Sequence, residues 1–163
     1  MRHDRFEIVR GQWVEWWKEP KAPMSAGTVL LLEDDAAFSD AVRKVLEKEG
    51  YAVVETPCLS RAREEFESNP KRFDLVLCDL SLPGETGLAF LPIVQAARPD
   101  LPVVMITAFG DWDSYARALN SGVYEFLSKP VERDVLLKTV RAAIASRLGL
   151  TGLAGEGRGS AVG

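Results

Sequence analysis

The sequence has little histidine, little cysteine and no long apolar run, and each shortage excludes a class of protein. Its 163 residues include one histidine, His3, so no metal site that needs paired histidines can form. No apolar run approaches the ~20 residues that cross a bilayer. Residues 1–10 lack the unbroken apolar stretch of a signal peptide. These shortages favour a cytoplasmic protein that does not enter a membrane.

An excess of positive charge is also missing. The 20 Lys and Arg residues against 24 Asp and Glu residues leave a net charge of −4, which argues against nucleic-acid binding through bulk electrostatics. Cys58 and Cys78 both lie among apolar residues, which favours two buried free thiols over a disulfide. An apolar share of 47% is sufficient for one folded domain.

Composition divides the chain into three regions, which predict one domain with an extension at each end. Residues 1–27 are charged and rich in tryptophan, residues 28–148 alternate between apolar runs and amphipathic segments, and residues 149–163 are rich in glycine. The last region predicts a flexible tail. The first has apolar residues at the spacing of an amphipathic helix: Phe6, Val9, Trp13 and Trp16 or Trp17. Such a helix would be a loose extension, pack on the domain or on a second copy, or bind a membrane surface.

Five short apolar runs in the central region predict strands. They are residues 28–32, 51–54, 73–78, 102–107 and 124–127. Unbroken runs of Val, Leu and Ile are typical of parallel strands buried on both faces. Repeated strand–helix alternation predicts a three-layer α/β fold, in which functional residues lie at the carboxyl ends of the strands.

Helical segments follow these runs. One spans residues 59–68, and another begins near Asp111 and ends before Gly122. Three more are marked by apolar stripes: Ala41, Val42, Val45 and Leu46; Leu88, Leu91, Val94 and Ala97; and Val135, Leu136, Val140, Ala143 and Ile144.

The predicted strand ends carry a set of charged and polar side chains. They are Glu33, Asp34, Asp35, Asp79, Thr107 and Lys129. Several carboxylates at one site repel one another unless a cation neutralises them, and oxygen ligands suit Mg²⁺. With a lysine and a hydroxyl beside it, Asp79 could accept a phosphoryl group. Each residue alone would more simply be a helix cap or turn residue, but the full set in order favours a shared site.

Four segments at these positions resemble motifs of the receiver domain of bacterial two-component response regulators. They are the acidic segment from Glu33 to Asp35, Asp79 with Pro83 four residues later, Thr107-Ala108, and Lys129-Pro130. The resemblance covers about residues 28–147. It implies a flavodoxin-like three-layer sandwich with five helices and a five-stranded parallel sheet of order 2-1-3-4-5.

The resemblance implies a magnesium site beside a phosphoacceptor. Asp79 would be phosphorylated. The Mg²⁺ would be bound by Asp79, by Asp34 directly, by Glu33 through water and by the backbone carbonyl of Ser81. A second assignment, in which Asp34 and Asp35 form the acidic pair, stays open.

The resemblance also implies how the signal leaves the site. Thr107 and Lys129 would contact the phosphoryl group, and Phe126 would turn inward when Thr107 moves. The face made by the fourth helix, fifth strand and fifth helix would then change shape. Ser81 and Phe109 stand at the positions that tune phosphoryl lifetime, and the bulk of Phe109 predicts slow hydrolysis.

The function implied is a phosphorylation-activated switch in a phosphorelay. The phosphoryl donor would be a sensor histidine kinase or a histidine phosphotransfer protein, and the output would be a downstream protein partner. The chain would catalyse only its own phosphorylation and dephosphorylation, without direct contact to nucleic acid or membrane, and a homodimer could form on phosphorylation. Since few residues follow residue 148, we expect a stand-alone receiver.

Two other functions remain open at this point. One is a receiver-like adaptor that works without phosphorylation. The other is a metal-dependent phosphatase of the haloacid-dehalogenase type, which also uses an aspartyl nucleophile. Such enzymes carry a second Asp two residues after the nucleophile, where this sequence has Ser81, and this difference argues against the phosphatase.

Overall fold

The computed structural model describes residues 6–9, 12–15, 25–108, 116 and 120–149. The strands in chain order are β1 (Phe6–Val9), β2 (Gln12–Glu15), β3 (Thr28–Leu32), β4 (Ala52–Thr56), β5 (Leu75–Asp79), β6 (Ser81–Leu82), β7 (Glu85–Thr86), β8 (Val103–Ala108) and β9 (Glu125–Lys129). Five of them form one parallel sheet of order β4-β3-β5-β8-β9. Counted along the chain within this sheet, the order is 2-1-3-4-5, as the resemblance implied.

Helices cover both faces of the sheet. They are α1 (Ala36–Lys48), α2 (Leu59–Ser68), α3 (Leu91–Ala97) and α4 (Arg133–Arg147). One apolar cluster joins α1 and α4 to the sheet, and a second joins α2 and α3 to its other face. Burial on both faces explains why the strands are almost wholly apolar. Within the described part of the chain, no helix is both long and apolar enough to cross a membrane.

Some predictions fall on residues that the structure does not describe. Phe109, the tail beyond residue 149, and Trp16 with Trp17 lie outside the described residues. Of the fourth predicted helix, residue 116 is described and is helical, and the turn from residue 120 is described at its end.

Four strands of the parallel sheet, β4, β5, β8 and β9, extend further toward the site than their apolar runs predict. In the ladder between β5 and β8, Asp79 pairs with Ile106, and between β8 and β9, Lys129 pairs with Ala108. Hydrogen bonding to a parallel neighbour therefore continues past the last apolar residue. As a result, Asp79 and Lys129 are the last residues of their strands and have the fixed backbone of the sheet.

Three local predictions are wrong in detail. Leu88 belongs to a 3₁₀ turn, Gly87–Phe90, and α3 begins after it, with a proline in its first turn. Val135 is 46% exposed while Leu137 is buried, because adjacent apolar residues let the helical period fit more than one face. Cys78 is a buried free thiol, but Cys58 is only half-buried at the start of α2.

The N-terminal helix is also wrong where the structure describes this segment. Strands β1 and β2 pair antiparallel, with Val9 opposite Gln12, so two residues connect them. Ile8, Val9 and Val14 are β-branched and favour strands. The two connecting residues in the sequence are Arg10 and Gly11. Glycine destabilises a helix more than any other residue except proline and is common in short hairpin connections.

Candidate functional site

Asp79 lies at the carboxyl end of β5, the middle strand of the sheet, and is 4% exposed. Its Oδ1 accepts a hydrogen bond from the backbone N–H of Ser81 at 2.9 Å. Its Oδ2 accepts one from the ammonium of Lys129 at 3.0 Å. Next to it, the N–H of Leu80 donates to the carbonyl of Ile106 at 2.8 Å. Both the carboxylate and the backbone that carries it are therefore held in place.

Glu33 follows β3, the neighbouring strand, and is 3% exposed. Its Oε1 accepts a hydrogen bond from the backbone N–H of Asp35 at 3.0 Å. Its Oε2 lies 2.9 Å from Lys129 Nζ. This is an ion pair without hydrogen-bond alignment, since Oε2 has no hydrogen-bond donor among the described residues. Burial raises the pKa of the Glu33 carboxyl to about 7, although the contact with Lys129 opposes the rise.

The acids that follow Glu33 have different roles in the fold. Asp35 is the N-cap of α1, and its Oδ1 accepts hydrogen bonds from the N–H groups of Ala37 and Phe38 at 3.0 and 3.1 Å. Asp34 is exposed. One carboxylate oxygen from each of Asp34, Glu33 and Asp79 lies within 4.8 Å of the others. These three acids could hold a metal ion.

The carboxylates fit a hard divalent cation. The site gathers three acids, and a single ammonium, that of Lys129, pairs with two of them, Glu33 and Asp79. The buried Oε2 of Glu33 has no aligned donor among the described residues, and a cation or its bound water would satisfy that oxygen. Oxygen donors on an open sheet edge suit Mg²⁺, which keeps several of its waters.

Lys129 joins the two buried acids. Its Nζ lies 2.9 Å from Glu33 Oε2, 3.0 Å from Asp79 Oδ2 and 4.4 Å from the centre of the Phe38 ring. Burial by itself would lower the pKa of this amine, but the two carboxylates outweigh that effect and raise the pKa. The ammonium therefore stays charged and occupies the centre of the site.

The remaining predicted residues lie around this centre. Thr107 is buried and follows Ile106, the residue of β8 that pairs with Asp79. Its hydroxyl donates to the carbonyl of Ala108 at 3.2 Å. Phe126 is half-buried on β9, opposite Met105, and packs against the cluster shared with α2 and α3. The structure thus brings Glu33, Asp34, Asp79 and Lys129 together, while the hydroxyl of Thr107 is bonded to its own strand.

Sequence reasoning missed Gly87. A Cβ at this buried position would lie 2.0 Å from the carbonyl oxygen of Asp79 and 2.7 Å from Cys78 Sγ. The N–H of Gly87 donates to the carbonyl of Leu80 at 2.9 Å. Only glycine permits this close approach to the strand that carries Asp79. An isolated glycine just before a helical stripe was the available signal.

Sequence reasoning also missed Phe38. This residue lies in the first turn of α1, and its ring faces the ammonium of Lys129. Its position four residues before Val42 places it on the helix face that packs against the sheet, and this spacing was the signal in the sequence.

Comparison with known proteins gives one consistent family. The model of the response regulator receiver domain matches residues 29–141. The C4-dicarboxylate transport transcriptional regulatory protein DctD of Pseudomonas aeruginosa is 36% identical over 130 residues, covering 78% of this chain and 28% of DctD. The response regulator protein PilR of the same species is 32% identical over 124 residues, covering 76% of this chain and 27% of PilR. The chain thus spans about a quarter of the length of these curated relatives.

Solved structures show the same fold. A response regulator receiver domain protein from Clostridium thermocellum superposes with a TM-score of 0.71 at 25% identity, covering 76% of this chain and 98% of that one. A CheY-like receiver domain protein from Methanospirillum hungatei gives 0.70 at 26% identity, covering 75% and 96%. The beryllofluoride-activated NtrC4 receiver domain dimer gives 0.68 at 28% identity, covering 74% and 98%.

Proposed function

Because this chain belongs to the response regulator receiver domain family, we propose that it is a phosphorylation-activated switch whose phosphoacceptor is Asp79. The observation that carries the assignment is the contact of a buried strand-end carboxylate with the ammonium of Lys129 at 3.0 Å, beside Glu33. The phosphoryl donor in this proposal is a sensor histidine kinase or a histidine phosphotransfer protein, and the chain works in the cytoplasm.

The chemistry follows from the contacts of Asp79. A carboxylate oxygen of Asp79 attacks phosphorus, the new O–P bond forms, and the bond from phosphorus to the donor's imidazole nitrogen breaks with its electron pair going to the nitrogen. The N–H of Ser81 orients the carboxylate through Oδ1. Lys129 is placed to stabilise negative charge on the transferring oxygens.

Magnesium belongs to this proposal through the acids of the site. Asp34 and Asp79 would be direct ligands, together with the carbonyl of Ser81, and Glu33 would act through water. When bound, Mg²⁺ supplies positive charge that neutralises the phosphoryl oxygens. The capping hydrogen bonds of Asp35 support Asp34 over Asp35 as the direct ligand.

The output step begins at Thr107. A phosphoryl group adds about −1.5 to −2 of charge and three acceptor oxygens. These acceptors compete for the hydroxyl of Thr107, which now donates to the carbonyl of Ala108. We expect Phe126 to move inward as Thr107 moves. The face that includes β9 and α4, which are the fifth strand of the parallel sheet and the fifth predicted helix, would then change shape for a downstream protein partner.

Two further assignments are part of the proposal. Ser81 and Phe109 set the lifetime of the phosphorylated state, and replacing Phe109 by Ala should speed hydrolysis by admitting water. A homodimer formed on phosphorylation is supported by the NtrC4 receiver domain, whose beryllofluoride-activated form is a dimer.

Intact-mass analysis after incubation with Mg²⁺ and acetyl phosphate tests the phosphoacceptor. We expect the parent chain to gain one acid-stable, base-labile phosphoryl group, and Asp79→Ala to gain none. Asp134→Asn is a matched control, because the Asp134 side chain on α4 is 93% exposed, and it should behave as the parent. A folded parent chain that gains no phosphoryl group would instead support the phosphorylation-independent adaptor, and turnover of small phosphoesters would support a phosphatase.

A further inference from the structure

Phe38 has a fixed position relative to the phosphorylation site. It lies in the first turn of α1, and its N–H donates to the capping carboxylate of Asp35 at 3.1 Å. Its half-buried side chain packs against the apolar cluster that joins α1 to the sheet. Backbone and side chain are therefore both held. The ring centre lies 4.4 Å from Lys129 Nζ, well within the distance at which a cation is attracted to an aromatic face.

The ring differs in kind from Glu33 and Asp79, which are also partners of Lys129 among the described residues. Glu33 and Asp79 are the acids assigned to the metal and to the phosphoryl group, so both change their charge or their partners when the site is loaded. The attraction of an aromatic face depends on the ring quadrupole, which none of these events alters. We therefore expect the ring of Phe38 to attract Lys129 equally before and after the site is loaded.

We propose that Phe38 is a positioning residue for the proposed phosphorylation of Asp79: its ring face holds the ammonium of Lys129 where it meets the transferring phosphoryl oxygens. The proposal rests on the function proposed above. The ring does not touch the reacting atoms. It acts through Lys129 alone, and its loss should leave the ammonium more mobile and less effective at stabilising the developing charge.

A purely structural role for Phe38 is the alternative to be tested. The residue lines an apolar groove between α1 and the chain that follows β9, together with Val42, Val45, Pro130 and Val131. Truncating Phe38 would remove packing as well as the ring. A graded series of fluorinated phenylalanines separates the two roles, because each fluorine weakens the negative potential of the ring face while its shape stays nearly the same.

The first measurement is made on the full chain without Mg²⁺ or phosphoryl donor. We expect the ring current of Phe38 to shift the ε-methylene protons of Lys129 upfield in an NMR spectrum. The shift should vanish in Phe38→Leu and remain in Val45→Ala. Val45 is the matched control because it is half-buried in the same groove and packs against the same cluster. An unshifted Lys129 resonance in the parent would overturn the proposal.

The second measurement is the rate of phosphorylation by acetyl phosphate with Mg²⁺ in chains carrying one, two or three fluorines on Phe38. We expect the rate to fall stepwise, by about three- to tenfold over the series, while the melting temperature stays constant. Val45→Ala should lower the melting temperature without slowing the reaction. Equal rates across the series in a parent that is phosphorylated would overturn the role of Phe38. A parent that is never phosphorylated would instead count against the proposed function, and the ring-current shift would still decide the contact.

Discussion

Gly87→Ala should displace the turn at Gly87 from the backbone of Asp79, the proposed phosphoacceptor. The new Cβ would lie 2.0 Å from the carbonyl oxygen of Asp79 and 3.0 Å from its carbonyl carbon. Real Cβ contacts essentially never fall below 3.0 Å, so the two segments must separate by about 1 Å. Strand β5 is paired on both sides, and the 3₁₀ turn that begins at Gly87 is therefore the part that moves.

The same substitution should destabilise the domain and slow its phosphorylation. Overpacking of this kind costs about 1–3 kcal/mol. Movement of the turn also weakens the hydrogen bonds that the N–H of Gly87 and the hydroxyl of Thr86 donate to the carbonyl of Leu80, at 2.9 and 3.2 Å. We expect the free energy of unfolding to fall by about 2 kcal/mol. Because a 1 Å displacement can cost up to about a hundredfold in rate, the phosphorylation rate should fall by about tenfold.

Gly84→Ala is the control for this prediction. Gly84 has φ +71° and no atom within 4 Å of the added Cβ, so the substitution costs about 1–2 kcal/mol of backbone strain without touching Asp79. The assay compares chemical denaturation and acetyl phosphate labelling of both variants. If both lose stability but are labelled as fast as the parent, Gly87 has no special relation to the site. An unchanged stability for Gly87→Ala would refute the steric reasoning itself.

Two more predictions concern the acids. Burial raises the pKa of Glu33 from 4.5 to about 7. Between these two pH values the native state binds more protons than the unfolded chain. The free energy of unfolding without Mg²⁺ should therefore fall as the pH rises through this range, by at most about 1.4 kcal/mol per pH unit. Glu33→Gln should remove this slope, and parallel denaturation profiles for the two proteins would contradict it. Asp35→Ala should lower the free energy of unfolding by about 1 kcal/mol through loss of the cap and leave the Mg²⁺ affinity nearly unchanged. Asp34→Ala should lower the Mg²⁺ affinity, measured by calorimetric titration, and leave the free energy of unfolding nearly unchanged. Equal loss of Mg²⁺ affinity in both variants would favour the Asp34/Asp35 pair.

Much of the fold was predictable because its signals are local. The run at residues 28–32 is apolar throughout, apart from its first residue, and β3 has those bounds. The helix predicted at residues 59–68 is α2 without change. Strand–helix alternation then restricts the architecture to a three-layer sheet, although the strand order came from the resemblance to a known family.

Some local signals were ambiguous because two periods fit them. Residues 6–15 place apolar side chains at both helical and alternating spacing, and the strand pairing of Val9 with Gln12 decides between the two. In α4, Val135 and Leu137 are both apolar, but only Leu137 is buried, since the helix rotation is set by its packing against the sheet.

The sequence by itself determined which chemical groups collect at the edge of the sheet. The apolar runs predict where the strands end, so the sequence alone predicts that Asp79 and Lys129 lie close together. Only the tertiary structure decided how those groups are partnered. The ring of Phe38 over Lys129 and the approach of Gly87 to Asp79 join residues that no local pattern relates. Such contacts depend on distances of a few ångströms between separate elements, and these distances are set only when the helices pack on the sheet.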